Sequence, residues 1–185
     1  NYSIFNGGTF MKIMILSDSH SMTKQTLLNF INQHPADYYI HCGDIYIPYS
    51  PLEIDNFYNV RGNNDFADIP KDLTLTIDGL NFFICHGHLF HIDESMYDLE
   101  QYALNHKIDV VCFGHSHNPT CYKKENTLFI NPGSVTFPRG NYPHPTYCIF
   151  DTENHEVQFY DLKENQPCNP FEVKKKESFF KRFFK

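Results

Sequence analysis

Side chains that commonly bind metal ions directly follow five short apolar segments of this chain. Aspartate, asparagine and histidine offer a carboxylate oxygen, an amide oxygen and a neutral imidazole nitrogen, a mixture that suits Mn, Fe, Zn or Ni. In an extended segment, residues two apart point to the same side, so a pair with that spacing can aim at one locus. The five polar clusters are Asp18-Ser19-His20, Gly43-Asp44, Gly62-Asn63-Asn64-Asp65, His86-Gly87-His88 and Gly114-His115-Ser116-His117.

The apolar segments ahead of these clusters are predicted to be buried strands that alternate with helices. The strands cover residues 12–17, 38–42, 57–61, 80–85 and 109–113. Three helices are predicted, over residues 21–33, 52–56 and 94–106. Ser21 is the predicted N-cap of the first. Because ligands bind at the carboxyl ends of adjacent strands in α/β proteins, we expect the five clusters to meet in one crevice.

Three hairpins are also predicted, most of them in the second half of the chain. The pairs are residues 73–77 with 80–85, 120–124 with 127–131, and 146–151 with 156–161. Antiparallel hairpins combined with strand–helix alternation indicate an α/β chain with mixed sheets rather than a single parallel sheet.

Seven of the polar side chains are candidate metal ligands: Asp18, His20, Asp44, Asn63, His86, His115 and His117. A single ion takes about four protein ligands, so seven candidates are about right for two ions. Two ions roughly 3.5–4 Å apart are the usual device for in-line displacement at phosphorus. The alternative is a coincidental set of turn residues, since Asp, Asn and Gly favour turns. Turn preference does not account for three histidines that follow two different strands.

The clusters, in this order and each after a strand, resemble the calcineurin-like metallophosphoesterases, most closely the small bacterial and archaeal phosphodiesterases of the YfcE type. The resemblance covers Met11 to about Asp161, and Asn131-Pro132-Gly133-Ser134 matches a loop common in this subgroup. It implies a layered α/β/β/α sandwich of two mixed sheets flanked by helices. It also implies that residues 11–173 form a single metallophosphoesterase domain that hydrolyses phosphodiesters.

The resemblance further implies a role for each ligand. Asp18, His20 and His117 would hold one ion, Asn63, His86 and His115 would hold the other, and Asp44 would bridge both. A hydroxide between the two ions would attack phosphorus, and the cations rather than lysines would attract the substrate. We expect two divalent ions per chain, with manganese as the first choice and nickel, iron or zinc as alternatives.

The proton donor for the leaving group is the point at which this chain departs from the wider family. Many members carry a histidine directly after the metal-binding asparagine, whereas this chain has Asn64, and an amide cannot act as a general acid near neutral pH. We assign the catalytic set to Asn63 and His88, with a structural role for His88 as the equal alternative. His88 is also one candidate for the proton donor, and His91 and Asp65 are weaker ones. Substrates with good leaving groups are therefore expected to react best.

Composition narrows the class of protein and its partners. The chain has 185 residues, of which 41% are hydrophobic and 20% charged, which suits one domain and excludes wholesale disorder. A net charge of −7 disfavours a stable complex with nucleic acid, so we expect a small phosphodiester or nucleotide-like substrate. The loops 46–51 and 89–95 are expected to select it. A homo-oligomer is possible by analogy with similar proteins.

Other functions remain open at this stage. Phosphomonoesterase, nucleotide pyrophosphatase and nuclease activities need the same ligand set. A non-catalytic interaction module is the alternative from a different class, because a eukaryotic retromer subunit of this family binds partners through a degraded metal site. The seven ligand positions of this chain all hold competent residues, which favours the enzyme.

The cysteines and the termini give weaker expectations. No pair has Cys-x-x-Cys spacing, and four cysteines lie in apolar runs, which predicts buried free thiols and a reducing cytoplasm. The sequence contains no run of 18 apolar residues, so no membrane-spanning helix is predicted. We interpret residues 1–10 as a leader ahead of a native start at Met11. Residues 174–185 are expected to form a basic, Phe-rich tail. The favoured interpretation is that the tail folds back onto the domain, and the alternative is a weak contact with a membrane.

Overall fold

Two mixed β-sheets form the centre of the protein in a computed structural model that describes residues 10–46, 54–66 and 68–172. The strands are β1 (Lys12–Leu16), β2 (Tyr38–His41), β3 (Phe57–Asn59), β4 (Asp72–Ile77), β5 (Leu80–Cys85), β6 (Val110–Cys112), β7 (Thr120–Lys124), β8 (Thr127–Asn131), β9 (Thr146–Asp151), β10 (Glu156–Asp161) and β11 (Gln166–Cys168). The helices are α1 (Lys24–Gln33) and α2 (Tyr97–Asn105), with one 3₁₀ turn at His88–Phe90.

Each sheet contains three adjacent parallel strands. The six-stranded sheet has the order β11-β10-β9-β1-β2-β3, and the five-stranded sheet has the order β4-β5-β6-β8-β7. Strands β1, β2 and β3 run parallel to one another, as do β5, β6 and β8, while the other neighbours are antiparallel. The carboxyl ends of the parallel strands are therefore the points at which the polar clusters begin.

The continuous apolar sequence of β1 follows from burial on both of its faces. Ile13 and Ile15 pack in the core between the two sheets. Met14 and Leu16 point to the other face and pack against α1 through residues such as Leu27. These four side chains of β1 and the side chain of Leu27 are fully buried.

Strand β5 repeats this arrangement in the second sheet. Phe82 and Ile84 face the first sheet, whereas Phe83 and Cys85 pack against Leu99 and its neighbours in α2. The layers are therefore helix, sheet, sheet and helix, which confirms the predicted α/β/β/α sandwich.

The helices begin later than the sequence pattern predicted. Helix α1 starts at Lys24 because Thr23, not Ser21, is its N-cap and accepts a hydrogen bond from the backbone N–H of Thr26. Helix α2 starts at Tyr97 because residues 88–95 form a 3₁₀ turn and further turns instead. Strand β11 was not predicted.

Some predictions fall outside the described residues. These include the leader, apart from Phe10, the tail 174–185 and the first part of the short helix 52–56, whose described residues 54–56 are not helical. The four cysteines predicted to be buried, Cys42, Cys85, Cys112 and Cys148, are buried free thiols. Within the described part of the chain, no helix combines the length and the apolar character needed to cross a membrane.

Replacement of Phe82 by alanine tests the core between the sheets. Phe82 is fully buried, and its ring lies edge-on to that of Phe150 with the centroids 5.7 Å apart. We expect Phe82→Ala to lower the free energy of unfolding by about 3–5 kcal/mol, since it leaves a cavity. Leu104→Ala, at a side chain that is 54% exposed, is the control and should change it by less than about 0.5 kcal/mol. Urea unfolding in the presence of chelator measures both, and equal midpoints would contradict the expectation.

Candidate metal centre

The ligand candidates lie on tight loops with an unusual backbone conformation. Five of the seven have a positive φ: Asp18 (53°), His20 (34°), Asp44 (54°), His115 (68°) and His117 (57°). This left-handed region is costly for residues other than glycine, and such strain persists where the surrounding structure enforces it, often at functional sites.

Two glycines allow these loops to approach one another. A Cβ atom on Gly62 would lie 2.0 Å from Oδ1 of Asp44, and one on Gly114 would lie 2.0 Å from Oγ of Ser17. Both contacts are far shorter than any real Cβ contact. Glycine at these positions therefore lets the loops after β3 and β6 close against those after β1 and β2.

Asp18, His20 and His117, the residues that the resemblance assigns to one ion, form the first group of ligand atoms. The Nε2 atom of His117 lies 3.2 Å from Oδ1 of Asp18 and 3.2 Å from Nε2 of His20. Asp18 and His117 are buried, while His20 is partly open to solvent. The group is thus preformed and accessible from one side.

A second group lies around His86, which follows β5. Its Nε2 atom is 3.1 Å from Oδ1 of Asn63 and 3.5 Å from Oδ2 of Asp44. The same oxygen of Asp44 lies 3.6 Å from Nε2 of His20 in the first group. Oδ1 of Asp18 also lies 4.0 Å from Nε2 of His86, so Asp18 belongs to both groups and Asp44 lies between their imidazoles.

Two backbone carbonyls orient the imidazole rings. Nδ1 of His86 hydrogen-bonds to the carbonyl of Cys42 at 2.7 Å, and Nδ1 of His117 to that of Phe137 at 2.7 Å. A carbonyl only accepts, so each Nδ1 carries a proton and, in the neutral ring, each Nε2 directs a lone pair at the carboxylates.

Lone pairs therefore face lone pairs at the centre of this cluster. Oδ1 of Asp18 is buried and has no hydrogen-bond donor. Oδ2 of Asp44, Oδ1 of Asn63 and Nε2 of neutral His86 are likewise all acceptors. A cation satisfies these atoms together, so the residues present fit a divalent metal site.

The electrostatics of the protein without metal point the same way. Burial raises the pKa of Asp18 and of Asp44, but the imidazoles of His117 and His86 outweigh burial and hold both values below the ordinary range. Conversely, burial lowers the pKa of His86 and of His117, yet the carboxylates raise both above the ordinary value. The carboxylates thus demand positive charge, which protons on imidazole or a metal ion can supply.

His115 is the predicted ligand that the structure leaves outside both groups of ligand atoms. Its ring lies 5.1 Å from that of His86 between centroids, but its Nε2 atom hydrogen-bonds to Oδ2 of Asp93 at 2.7 Å. Nδ1 is then the nitrogen left for a metal. Asp93 was missed by the sequence analysis, because only its place in the loop 89–95 pointed to the site.

Asp65 has a different role from the one predicted. Oδ2 accepts hydrogen bonds from the backbone N–H groups of Asp44 and Gly62, and Oδ1 accepts one from Tyr46, all at 2.8 Å. With both oxygens engaged as acceptors, Asp65 is a poor proton donor. It instead ties the loop after β2 to the loop after β3.

Asn64 holds the central carboxylate. Its backbone N–H donates to Oδ1 of Asp44 at 2.8 Å, and its side-chain amide donates to Oδ2 at 2.7 Å. The residue that replaces the family's histidine thus orients the aspartate between the two groups.

His88 lies beside the second group, whereas His91 does not. The ring centroid of His88 is 5.3 Å from that of His86 and 6.0 Å from that of His115, and its Nδ1 atom is buried without a partner. Burial and these two neighbouring imidazoles lower the pKa of His88, so the ring is neutral near pH 7. His91 is 70% exposed and lies 3.8 Å from Asp98 of α2.

Strand β8 and the loop that follows it support the backbone of two loops that carry ligand candidates. The hydroxyls of Ser134 and Thr136 both donate to the carbonyl of Asp18, at 2.8 and 2.9 Å. The amide of Asn131 donates to the carbonyl of Gly114 at 2.8 Å. The match of residues 131–134 to a loop of the subgroup was the sequence signal for this support, which comes from side chains.

Removal of the Asp65 carboxylate tests its role as a tie between the loops. Asp65→Ala leaves three backbone N–H groups without their acceptor, so we expect a loss of about 1–3 kcal/mol in the free energy of unfolding and a lower metal content. Asp68→Ala, at an exposed position of the same loop, is the matched control. Urea unfolding and elemental analysis of metal-loaded protein provide the measurements. Values equal to those of the control would contradict the assignment.

Comparison with known proteins identifies phosphoesterases as relatives of this chain. Residues 11–155 match the model of the calcineurin-like phosphoesterase superfamily domain. The probable metallophosphoesterase YsnB of Bacillus subtilis is 35% identical over 161 residues, which cover 84% of this chain and 94% of the relative. The phosphodiesterase YfcE of Escherichia coli is 27% identical over 172 residues, which cover 77% and 89%.

Solved structures agree with the sequence relatives. A conserved protein from Streptococcus pneumoniae, described as a predicted phosphoesterase, superposes with a TM-score of 0.80 at 26% identity and covers 87% of this chain and 94% of its own. Vps29 from Entamoeba histolytica in complex with zinc has a TM-score of 0.69, but its 18% identity, over 85% of this chain and 96% of its own, shows the fold alone.

These matches imply a hydrolase of the metallophosphoesterase type that uses divalent metal ions. The family model spans most of the chain, and YsnB is matched over nearly all of its length. This chain therefore belongs to the calcineurin-like phosphoesterase superfamily, in the group of the YfcE-type phosphodiesterases.

Proposed function

We propose that this protein hydrolyses phosphodiesters with two divalent cations bound in its ligand cluster. The observation that carries the proposal is the position of Asp44. Its Oδ2 atom lies 3.6 Å from Nε2 of His20 on one side and 3.5 Å from Nε2 of His86 on the other. A carboxylate that faces imidazoles on two sides, in groups that share Asp18, is the arrangement that two neighbouring ions require.

The two groups would divide the ligands between the ions. Asp18, His20 and His117 suit the first ion, and Asn63 with His86 suits the second. His115 is proposed to complete the second set through Nδ1, because Asp93 engages its Nε2. One ion with about four protein ligands would leave several of these atoms unsatisfied.

When bound, the cations supply an acidified water for attack at phosphorus and neutralise the charge that develops on the phosphoryl oxygens. The protein contributes a fixed geometry. Asn64 holds the carboxylate of Asp44, while the carbonyls of Cys42 and Phe137 fix two of the imidazoles. Such restraint lowers the cost of reorganisation during the reaction.

His88 is proposed to contact the phosphate rather than to protonate the leaving group. Its ring lies beside His86 and His115, and its buried Nδ1 atom has no protein partner. A neutral imidazole can donate a hydrogen bond to a phosphoryl oxygen. Because neither Asn64 nor Asp65 can protonate a leaving group, esters with good leaving groups should react best.

The donor set also bears on the choice of metal. Carboxylate, amide and imidazole donors without a thiolate suit manganese, which we propose as the preferred ion, with nickel, iron or zinc as alternatives. The substrate is proposed to be a small phosphodiester or a nucleotide-like ester.

A non-catalytic interaction module of the same fold is the second candidate. Vps29 proteins share the fold of this chain, and their name concerns protein sorting rather than ester hydrolysis. The clustered ligand side chains and the similarity to YfcE favour the enzyme.

Removal and replacement of metal tests the proposed function. Protein stripped with chelator should be inactive, and manganese should restore hydrolysis of bis-p-nitrophenyl phosphate more than that of p-nitrophenyl phosphate. We expect two ions per chain by elemental analysis. Asp44→Asn should lower the diester rate at least about 100-fold because it weakens both ion sites, while Asp68→Asn should retain the rate. Two bound ions with no turnover in manganese, nickel, iron or zinc would favour the interaction module.

Loss of the Asp93 carboxylate tests the link to His115. Asp93→Ala should weaken the second of two manganese-binding steps about 10–100-fold, since a hydrogen-bonded carboxylate orients a metal-bound imidazole. The first step should be unchanged. Calorimetric titration of chelator-stripped protein resolves the two steps, and Glu94→Ala is the neighbouring control. Two unchanged steps would show that His115 does not depend on Asp93.

A further inference from the structure

Three of the loops that carry ligand candidates, and the loop after β8 that supports them, each carry a large, exposed apolar side chain. Tyr46 follows Asp44 by two residues and is 55% exposed, and Phe66 follows Asn63 by three and is 91% exposed. Leu89 follows His86 by three residues, and Phe137 lies on the loop whose carbonyl orients His117; each is 51% exposed. We call Tyr46, Phe66 and Phe137 the aromatic rim.

One ring contact joins the aromatic rim to a ligand candidate, and another lies within the rim. The rings of Tyr46 and Phe66 meet edge to face, with centroids 6.4 Å apart and an angle of 66° between their planes. The ring of Phe137 lies 5.5 Å from that of the ligand candidate His20. The backbone N–H of Tyr46 is held by Asp65, the same carboxylate that holds Asp44. The aromatic rim is therefore built on the framework that positions the ligands.

Half of the exposed large hydrophobic side chains among the described residues lie on loops at the site. Among the described residues, eight large hydrophobic side chains are exposed, and the other four, Phe10, Tyr97, Leu104 and Phe171, lie elsewhere in the chain. Single exposed apolar residues are ordinary on a protein surface. A group of them around a polar cluster indicates a surface that binds something apolar.

The chemistry of the site limits what that ligand can be. Asp18, Asp44, Asp65 and Asp93 make the cluster acidic, so a phosphate group must be bound through cations. The organic groups of the ester then lie beside the metals, where the aromatic rim is. Aromatic faces and edges prefer to pack against other planar rings.

A folded protein partner fits this surface less well. A specific protein interface needs about 800 Å² on each partner with a continuous apolar centre. The aromatic rim is instead distributed around a polar cluster, which suits one small molecule with a charged group and a ring.

We propose that the aromatic rim binds a planar aromatic ring carried by an ester group of the substrate. This ring is either a nucleobase or an aryl ring. This inference rests on the proposed phosphodiesterase function and narrows its substrate class. The aromatic group can belong to the part of the ester that is retained, so the preference differs from that for a good leaving group.

Phosphonates separate ring binding from leaving-group chemistry, because their carbon–phosphorus bond is not hydrolysed. Methylphosphonate, phenylphosphonate and the phosphonate isostere of adenosine monophosphate are titrated into manganese-loaded protein by calorimetry. The wild type should bind at least one of the ring compounds about tenfold more tightly than methylphosphonate. In the double variant Phe66→Ala with Phe137→Ala, this preference should fall below about threefold, with methylphosphonate binding unchanged.

Leu104→Ala is the control, since it removes from α2 an apolar side chain about as exposed as Phe137. A preference for the adenosine compound alone identifies a nucleobase, and a preference for phenylphosphonate as well identifies aromatic rings in general. Both results support the inference when the double variant loses the preference and the control keeps it.

Four results would overturn the inference. Equal affinity for all three phosphonates overturns the role of the aromatic rim, and so does a preference that the double variant retains. In both cases, diester hydrolysis by the wild type leaves the proposed function intact. The absence of both phosphonate binding and diester hydrolysis overturns the proposed function and the inference together. A double variant that binds a protein partner less well but keeps the ring preference would assign the surface to that partner.

Discussion

The burial of two carboxylates, Asp18 and Asp44, is the constraint on which the site depends. A buried charge is costly unless other groups compensate for it, and Oδ1 of Asp18 has no hydrogen-bond donor. The surrounding imidazoles lower the pKa of both carboxylates, yet two of those rings have their Nδ1 protons committed to backbone carbonyls. The cluster is therefore organised around positive charge, which gives the metal-dependent chemistry of the family a physical basis in this chain.

The sandwich makes this burial possible. Each sheet contributes three parallel strands, so loops from both sheets converge on the carboxylates. Hydrogen bonds that join residues far apart in sequence then lock the loops, such as those from Thr136 and Ser134 to the carbonyl of Asp18. The left-handed backbone at Asp18, Asp44 and His117 persists because these contacts enforce it. Packing energy from the core thus stabilises a strained loop geometry at the site.

Residues that are not ligands account for much of the geometry of the site. Asp65 accepts from three backbone N–H groups, and Asn64 donates twice to Asp44. Asp93 engages His115, whose other nitrogen is then left for a metal. These supporting residues have the same side-chain types as the ligands, which is why residue type alone suggested a proton donor at Asp65. Their roles follow from which atoms they contact.

The sequence alone predicted ten of the eleven strands and the order of the polar clusters, because apolar runs and the residues that end them are local features, while the layered fold was implied by the family resemblance. Strand β1 is recognisable from Lys12 to Leu16 without reference to any other part of the chain. Helix starts were less accurate, since Thr23 and the turns at 88–95 compete with nearby caps of similar strength. Only the tertiary structure decided which imidazole nitrogen faces the carboxylates, that His115 is bound to Asp93, and that Phe137 lies beside His20. Those choices depend on contacts between residues about 20 to 120 positions apart, which no local pattern records.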